Sequence, residues 1–328
     1  MSELAVTVFA AEAGAHLLVA PRSARFAAFA GQFDERAYLE RLAADGIRWL
    51  HRRDPAFPSR LASIHDPPPG LFVRGNGELS LLDRTAVAIV GARACSDYGS
   101  DVAASFARAA AGAGVSVISG LARGVDAAAH RGALQSGVTV AVLGCGIDRD
   151  YPRAHAHLAA QIAESGLIVS EYPPGVEPAP WRFPARNRIV AGLAEVTVVV
   201  EARERSGALI TADLALEEGR DVLAVPGEIT SSLSRGTNAL LRLGATPATC
   251  AADVLEALGV EPPPVAVHPS LQPSLASVHA AVVDAPATVD ELVDRTGLDA
   301  ARVAAALGEL ELLGLVAQSD GAYRGVMP

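Results

Sequence analysis

Six short apolar runs decide what this chain can fold into: AVAIVG (86–91), VSVISG (115–120), VTVAVLG (138–144), GLIVSE (166–171), EVTVVVEA (195–202) and DVLAVPG (221–227). Each is rich in β-branched residues and almost free of polar alternation, which is the pattern of parallel strands covered on both faces. Alanine-rich stretches of helical length separate them. Strand–helix–strand order of this kind builds an α/β fold around a doubly wound, mostly parallel sheet. Ligands of such sheets bind beyond the carboxyl ends of the strands, and here nearly every run ends in glycine or in a polar residue beside one.

The flanking regions read differently. Residues 1–76 are expected to form a small helical N-terminal lead-in. One helical pattern covers 35–50, with Tyr38, Leu39, Leu42 and Ile47 apolar, and FPSRLASIHDPPPGLFVRGN (57–76) follows as a short helix broken by prolines and a strand-like LFVRG. Residues 77–258 form the core. The stretch GVEPPPVAVHPSLQPS (259–274) has many prolines and no periodicity, as linkers do. Residues 275–328 read as a winged helix: helices over 275–285, 286–297 and 298–314, then a two-strand wing over 315–324. Val303, Leu307, Leu310, Leu313 and Leu315 are expected to fill its core.

All 27 basic residues are arginine, against 37 acidic ones, for a net charge of −10. The excess is concentrated at the C-terminus, where residues 275–328 carry three arginines and eight acids. The third helix of that region sets Arg302 against Asp299, Glu309 and Glu311. It would repel phosphate, so protein contact or simple stabilisation is the expected role of the domain. Mean hydropathy of +0.28 excludes a disordered chain. No apolar run reaches the about 18 residues of a spanning helix. Glu3 and Glu12, with no basic stretch before an apolar one, read against a secretory leader. Cys95, Cys145 and Cys250 lack metal spacing and are read as buried thiols of a reducing, cytoplasmic compartment. Neither a metal nor a cofactor is expected.

The ligand is narrowed by what the strand ends lack and what they hold. There is no Walker A loop. GCGIDR (144–149) has arginine where a dinucleotide fingerprint needs its third glycine, and GARACSDYG (91–99) has the wrong spacing. Anion sockets are plentiful instead: Gly91-Ala92-Arg93, Ser119-Gly120 with Gly124, Ser206-Gly207, and Gly236-Thr237-Asn238 each precede a helix. Backbone N–H groups at helix starts favour phosphate, and glycine lets it approach, although any one of these glycines also serves a tight turn. WRFPARNRIV (181–190) adds Arg182, Arg186 and Arg188 beside Trp181 and Phe183; Arg203, Arg205 and Arg235 follow. Arginine forks match phosphate oxygens and aromatic rings stack on unpaired bases, a combination suited to single-stranded nucleic acid. The competing reading is a solvated loop whose arginines pair with Glu201 or Glu204.

IVGARACSDYG (89–99), SGLARGVDAAAH (119–130), AVLGCGIDRDYP (141–152), VSEYPPG (169–175), FPARNRIVAGLA (183–194), VVEARERSGALIT (199–211) and AVPGEITSSLSRGTNALLRLGA (224–245) resemble, in order, the DprA/Smf DNA-processing family, over about residues 57–247. The resemblance implies an extended Rossmann-like core that binds single-stranded DNA, acts as a homodimer and loads a RecA-type recombinase during natural transformation. It places the DNA groove at Arg93, Ser96, Gly120, Gly124, Arg186, Asn187, Arg188, Ser206 and Gly207, to which Arg123 and Arg235 are added as further candidates. Residues 1–50 match the family poorly.

The alternative is a nucleotide-binding or nucleotide-cleaving enzyme on the same phosphate-cradling core. Asp126 and His130, four apart on one helix face, invite that reading. The same spacing also serves a structural helix-face pair or a cap, and with no nucleophile or metal set nearby the structural role is expected; no catalytic residue is assigned. His155 and His157 are expected on the surface. Glu171, at a strand end, would meet a base edge or an arginine.

Overall fold

The computed structural model describes residues 2–12, 23–261, 271–319 and 321–325. Among these residues nine strands form one sheet: β1 (Ile47–His51), β2 (Gly70–Arg74), β3 (Ala86–Val90), β4 (Ser116–Ser119), β5 (Thr139–Leu143), β6 (Leu167–Ser170), β7 (Val196–Val199), β8 (Asp221–Ala224) and β9 (Thr246–Pro247). Their order is β1-β2-β6-β5-β4-β3-β7-β8-β9. From β6 to β9 every pairing is parallel, while β2 joins β6, and β1 joins β2, antiparallel. All six runs named above are strands of the parallel portion.

Side chains alternate between the two faces with the strand period of two. Leu71, Val73, Val140, Val142, Leu167 and Val169 belong to one core. Phe72, Ala141, Leu143 and Ile168, from the positions between, belong to the other. The first core is closed by Ile189, Val190 and Leu193 of the helix Arg182–Leu193 and by Ala208, Ala212 and Ala215 of the helix Gly207–Glu217. The second is closed by Leu158, Ala159 and Ile162 of the helix Ala156–Ser165, and by Leu4, Val8 and Leu42 from the N-terminal helices. Both faces are therefore dry, which is why the strand sequences are continuously apolar.

Two features differ from the sequence reading. The helical pattern over 35–50 stops at Ala44, because Gly46 takes a left-handed φ of +69° that ends the helix; Ile47 then begins β1. Residues 1–76 are accordingly no separate lead-in, since β1 and β2 are built into the sheet. β9, two exposed residues including a proline, has the make-up of an edge strand and carries no periodic signal.

The chain divides into two compact units, Met1–Pro263 and Pro264–Pro328. Most of the proline-rich stretch 259–274 lies outside the described residues. The second unit holds helices Pro273–Asp284, Val289–Thr296 and Ala300–Leu312, followed by the antiparallel pair β10 (Val316–Ser319) and β11 (Ala322–Gly325). The middle helix begins with a capping box: the Thr288 hydroxyl accepts from the Glu291 N–H, and the Glu291 carboxylate accepts from the Thr288 N–H. Val278, Leu292, Val303, Leu307 and Leu310 form its core. Leu313, expected there, is half exposed, because it sits beyond the last helical turn and outside the stripe facing inward.

Candidate functional site

The chain runs from β3 through β4 and β5 to β6 on one side, then returns to place β7 on the other side of β3. The sheet thus grows from β3 in opposite directions, to β4 on one side and to β7 on the other, so a crevice opens at the carboxyl ends of β3 and β7. A cavity of about 490 Å³ lies there. Of the residues expected at the site, Arg93, Gly120, Arg186, Asn187, Ser206 and Gly207 line it. They come from four separate loops and helices, brought together by the strand order alone.

Arg186 is the innermost cation. It is buried, and its Nη1 donates to the carbonyls of Gly120 and Val142, at 2.7 Å for the former. A Cβ on Gly120 would lie 2.4–2.5 Å from the guanidinium, so this glycine is what lets Arg186 reach the strand ends. Burial pulls the Arg186 pKa down from its ordinary value, with the nearby Asp126 charge opposing. Asn187 links the walls: its Oδ1 accepts from Arg186 Nε at 3.3 Å, and its Nδ2 donates to the Gly207 carbonyl at 3.1 Å. Ser206 caps the helix Gly207–Glu217, accepting from the Ala208 N–H, and the open space around Gly207 leaves that helix start accessible. Arg93 is exposed at the rim and lies over the Phe183 ring, 5.3 Å from its centroid. Tyr151 stacks on the same ring at 5.4 Å.

The remaining expected residues stand elsewhere. Arg188 does not face the cavity. WRFPARNRIV opens a helix where a loop was the competing reading, with Pro184 tolerated in its first turn, and residues two apart on a helix do not share a face. Arg188 instead donates from Nε to Asp66 at 2.9 Å and from Nη2 to Glu171 at 2.5 Å. Glu171 thus meets an arginine. Ser96 is committed internally: its hydroxyl donates to Glu201 and accepts from the Gly99 N–H. Gly124 shapes the loop, at φ +74° and ψ −127°, where a Cβ would come within 2.2 Å of the Ala92 carbonyl oxygen. Arg123 is exposed and does not line the cavity, and Arg235 lies 3.9 Å from Glu204.

Asp126 and His130 serve structure, but not as a pair. Asp126 Oδ2 accepts from the Gly120 and Ala122 N–H groups at 3.1 and 3.2 Å, holding the loop after β4. His130 Nδ1 bonds the Thr139 hydroxyl at 2.7 Å, which itself donates to the Val117 carbonyl. Burial lowers the His130 pKa to about 3, so the ring is neutral. His155, expected on the surface, is buried with Nδ1 3.0 Å from the carbonyl of Leu121, the residue held at φ +58° in that loop. Of the cysteines, Cys145 is buried and Cys250 is exposed. No cluster of three metal-ligating side chains occurs among the described residues, and none of their helices is long and apolar enough to cross a membrane.

The sequence reading missed Tyr151 and Asp126 as cavity residues. Tyr151 follows the Gly144–Gly146 turn at the end of β5, so its position at the ligand edge was the available signal.

Comparison with known proteins agrees with this geometry. The family model described as DNA recombination-mediator protein A matches residues 48–259, and the DprA winged helix domain matches 261–322. The DNA processing protein DprA of Streptococcus pneumoniae is 46% identical over 203 residues, 62% of this chain and 71% of that protein. Protein Smf of Escherichia coli is 42% identical over 279 residues, 81% of this chain and 74% of that protein. Among solved structures, DprA of S. pneumoniae superposes with a TM-score of 0.66 at 39% identity, covering 77% of this chain and 91% of that one. DNA processing protein A of Helicobacter pylori, solved for its single-stranded DNA binding mode, gives 0.59 at 31% identity, covering 65% and 95%. A nine-stranded, mostly parallel sheet with this crevice, a winged-helix unit and a family match over most of the chain lead to one conclusion: the chain belongs to the DNA recombination-mediator protein A family, the DprA/Smf proteins.

Proposed function

We propose that this chain binds single-stranded DNA at the crevice beyond β3 and β7 and hands it to a RecA-type recombinase, without chemistry of its own. One observation carries the DNA reading: an aromatic wall (Phe183, Tyr151), an exposed arginine (Arg93), a buried one (Arg186) and an open helix start (Gly207) converge on a single cavity. Rings take up unpaired bases, and the arginine and helix start take up backbone phosphate. Family membership and the single-stranded DNA binding mode of the H. pylori relative support the same reading. Recombinase transfer and action as a homodimer are expectations from the family resemblance, and a cytoplasmic site is the expectation from cysteine usage.

The cavity is also large enough for one nucleotide, which keeps a nucleotide-binding or nucleotide-cleaving enzyme as the second reading. The two are separated by anisotropy titration of a fluorescent deoxythymidine oligomer with free nucleotides as competitors. The oligomer is expected to bind and millimolar free nucleotides to leave it bound. Displacement by a nucleotide, or its cleavage, favours the enzyme.

The winged-helix unit is proposed to act through protein contacts. Its third helix exposes Arg302, Glu309 and Glu311, a charge balance that gains nothing from counterion release. A chain truncated after Pro263 is expected to bind single-stranded oligomers within a few-fold of the full chain. A loss of ten-fold or more, about 1.4 kcal/mol, with the remaining unit still folded by circular dichroism, would place this unit on the DNA.

A further inference from the structure

The floor of the crevice carries a carboxylate that phosphate binding does not call for. Asp126 lines the cavity while only 6% exposed. Its Oδ2 is held by the two loop N–H groups, and its Oδ1 makes no hydrogen bond among the described residues, so Oδ1 is the oxygen the cavity meets. Beside it Arg186 has both Nη1 hydrogens on carbonyls, and Nη2 makes no hydrogen bond among the described residues. The floor therefore offers one acceptor and one donor with compensating charges, a poor seat for a phosphate dianion or diester. The cationic rim differs: Arg93 is exposed there, with no carboxylate paired to it among the described residues.

We infer that a nucleobase enters the cavity edge-first, its N–H donating to Asp126 Oδ1, while the flanking phosphates stay outside at Arg93 and the start of the helix Gly207–Glu217. Asp126 is thus a specificity-determining residue that favours thymine and guanine, whose ring N–H lies beside a carbonyl, over adenine and cytosine, whose edge N–H is an exocyclic amine. A carbonyl beside that N–H meets Arg186 Nη2, and Phe183 and Tyr151 form an aromatic wall for the ring. Burial raises the Asp126 pKa against the pull of Arg186 and the two amides, so a donor N–H entering the cavity offsets the cost of keeping the carboxylate ionised there. This inference rests on the single-strand reading above.

The test compares a deoxythymidine 20-mer with a 20-mer of N3-methyldeoxythymidine, which lacks the edge N–H, by fluorescence anisotropy at pH 8 on the full chain. The wild type is expected to bind the unmodified oligomer about ten-fold tighter, the order of one hydrogen bond to a charged group. Asp126→Asn separates hydrogen bonding from bulk. Its amide oxygen must still accept from Gly120 and Ala122, so the NH₂ replaces Oδ1 and turns an acceptor into a donor without changing shape. The two oligomers are then expected to bind the variant within two-fold of each other. A wild-type ratio near one overturns the inference and leaves single-strand binding intact. A ten-fold ratio that persists in the variant also overturns it, because bulk is then the cause. Failure of the wild type to bind either oligomer overturns the single-strand reading itself. The wild-type comparison stands even if the variant does not fold.

Discussion

Replacing Arg188 by alanine is expected to destabilise the first unit by about 3–5 kcal/mol, the cost of breaking a buried ion pair from one side. The Arg188 side chain is 12% exposed and that of Glu171 only 3%, and the guanidinium bridges Glu171 at the end of β6 to Asp66 in the loop before β2. Alanine leaves the Glu171 carboxylate in a dry setting without the cation facing it. For a unit of this size the loss corresponds to a melting-temperature drop of roughly 6–20 °C. Below that temperature, affinity for single-stranded DNA and its salt dependence should stay within two-fold of wild type. An unchanged melting temperature with a salt slope flatter by about 0.7, the signature of one lost phosphate contact, would instead put Arg188 on the DNA.

Phe183→Ala is expected to have the opposite profile. The ring lies in the cavity wall, with Arg93 over it and Tyr151 stacked against it. Removing it takes away a stacking surface worth about 1–3 kcal/mol per base, roughly a 5- to 150-fold loss of affinity. No charge is removed, so the salt slope should hold. Arg93→Ala gives the complement: a smaller loss of affinity and a slope flatter by up to about 0.7. Anisotropy titrations at several salt concentrations separate the two. If Phe183→Ala leaves affinity unchanged, the ring is only packing and base stacking is not part of binding.

The parallel sheet was legible because strands dry on both faces leave an unbroken apolar signature, and the order of the runs dictates where the crevice opens. What stayed hidden depends on partners distant in sequence or on one local backbone choice. Gly46 ends a helix that apolar periodicity alone would carry to Leu50. Arg186 and Arg188 look equivalent in sequence, and only the helix phase sends one to the cavity and the other to Asp66 and Glu171. Asp126 and His130 have the spacing of a pair, but the first is held by loop amides and the second by Thr139 on the neighbouring strand. His155 is buried because a positive-φ loop needs its Leu121 carbonyl bonded, a demand that composition does not reveal. Cys250 is exposed at a helix N-terminus, a position its hydrophobicity does not forecast.

The most direct test of single-strand binding is a side-by-side titration of the full chain with a fluorescent deoxythymidine 20-mer and a blunt 20-base-pair duplex at about 150 mM salt. The crevice meets ring faces, base edges and backbone, and a duplex hides the ring faces and the pairing edges. The single strand is predicted to bind at least ten-fold tighter, with log affinity falling by about 0.7 per decade of salt for each phosphate neutralised. Equal affinity for strand and duplex at the same salt would contradict the assignment of this crevice to unpaired DNA.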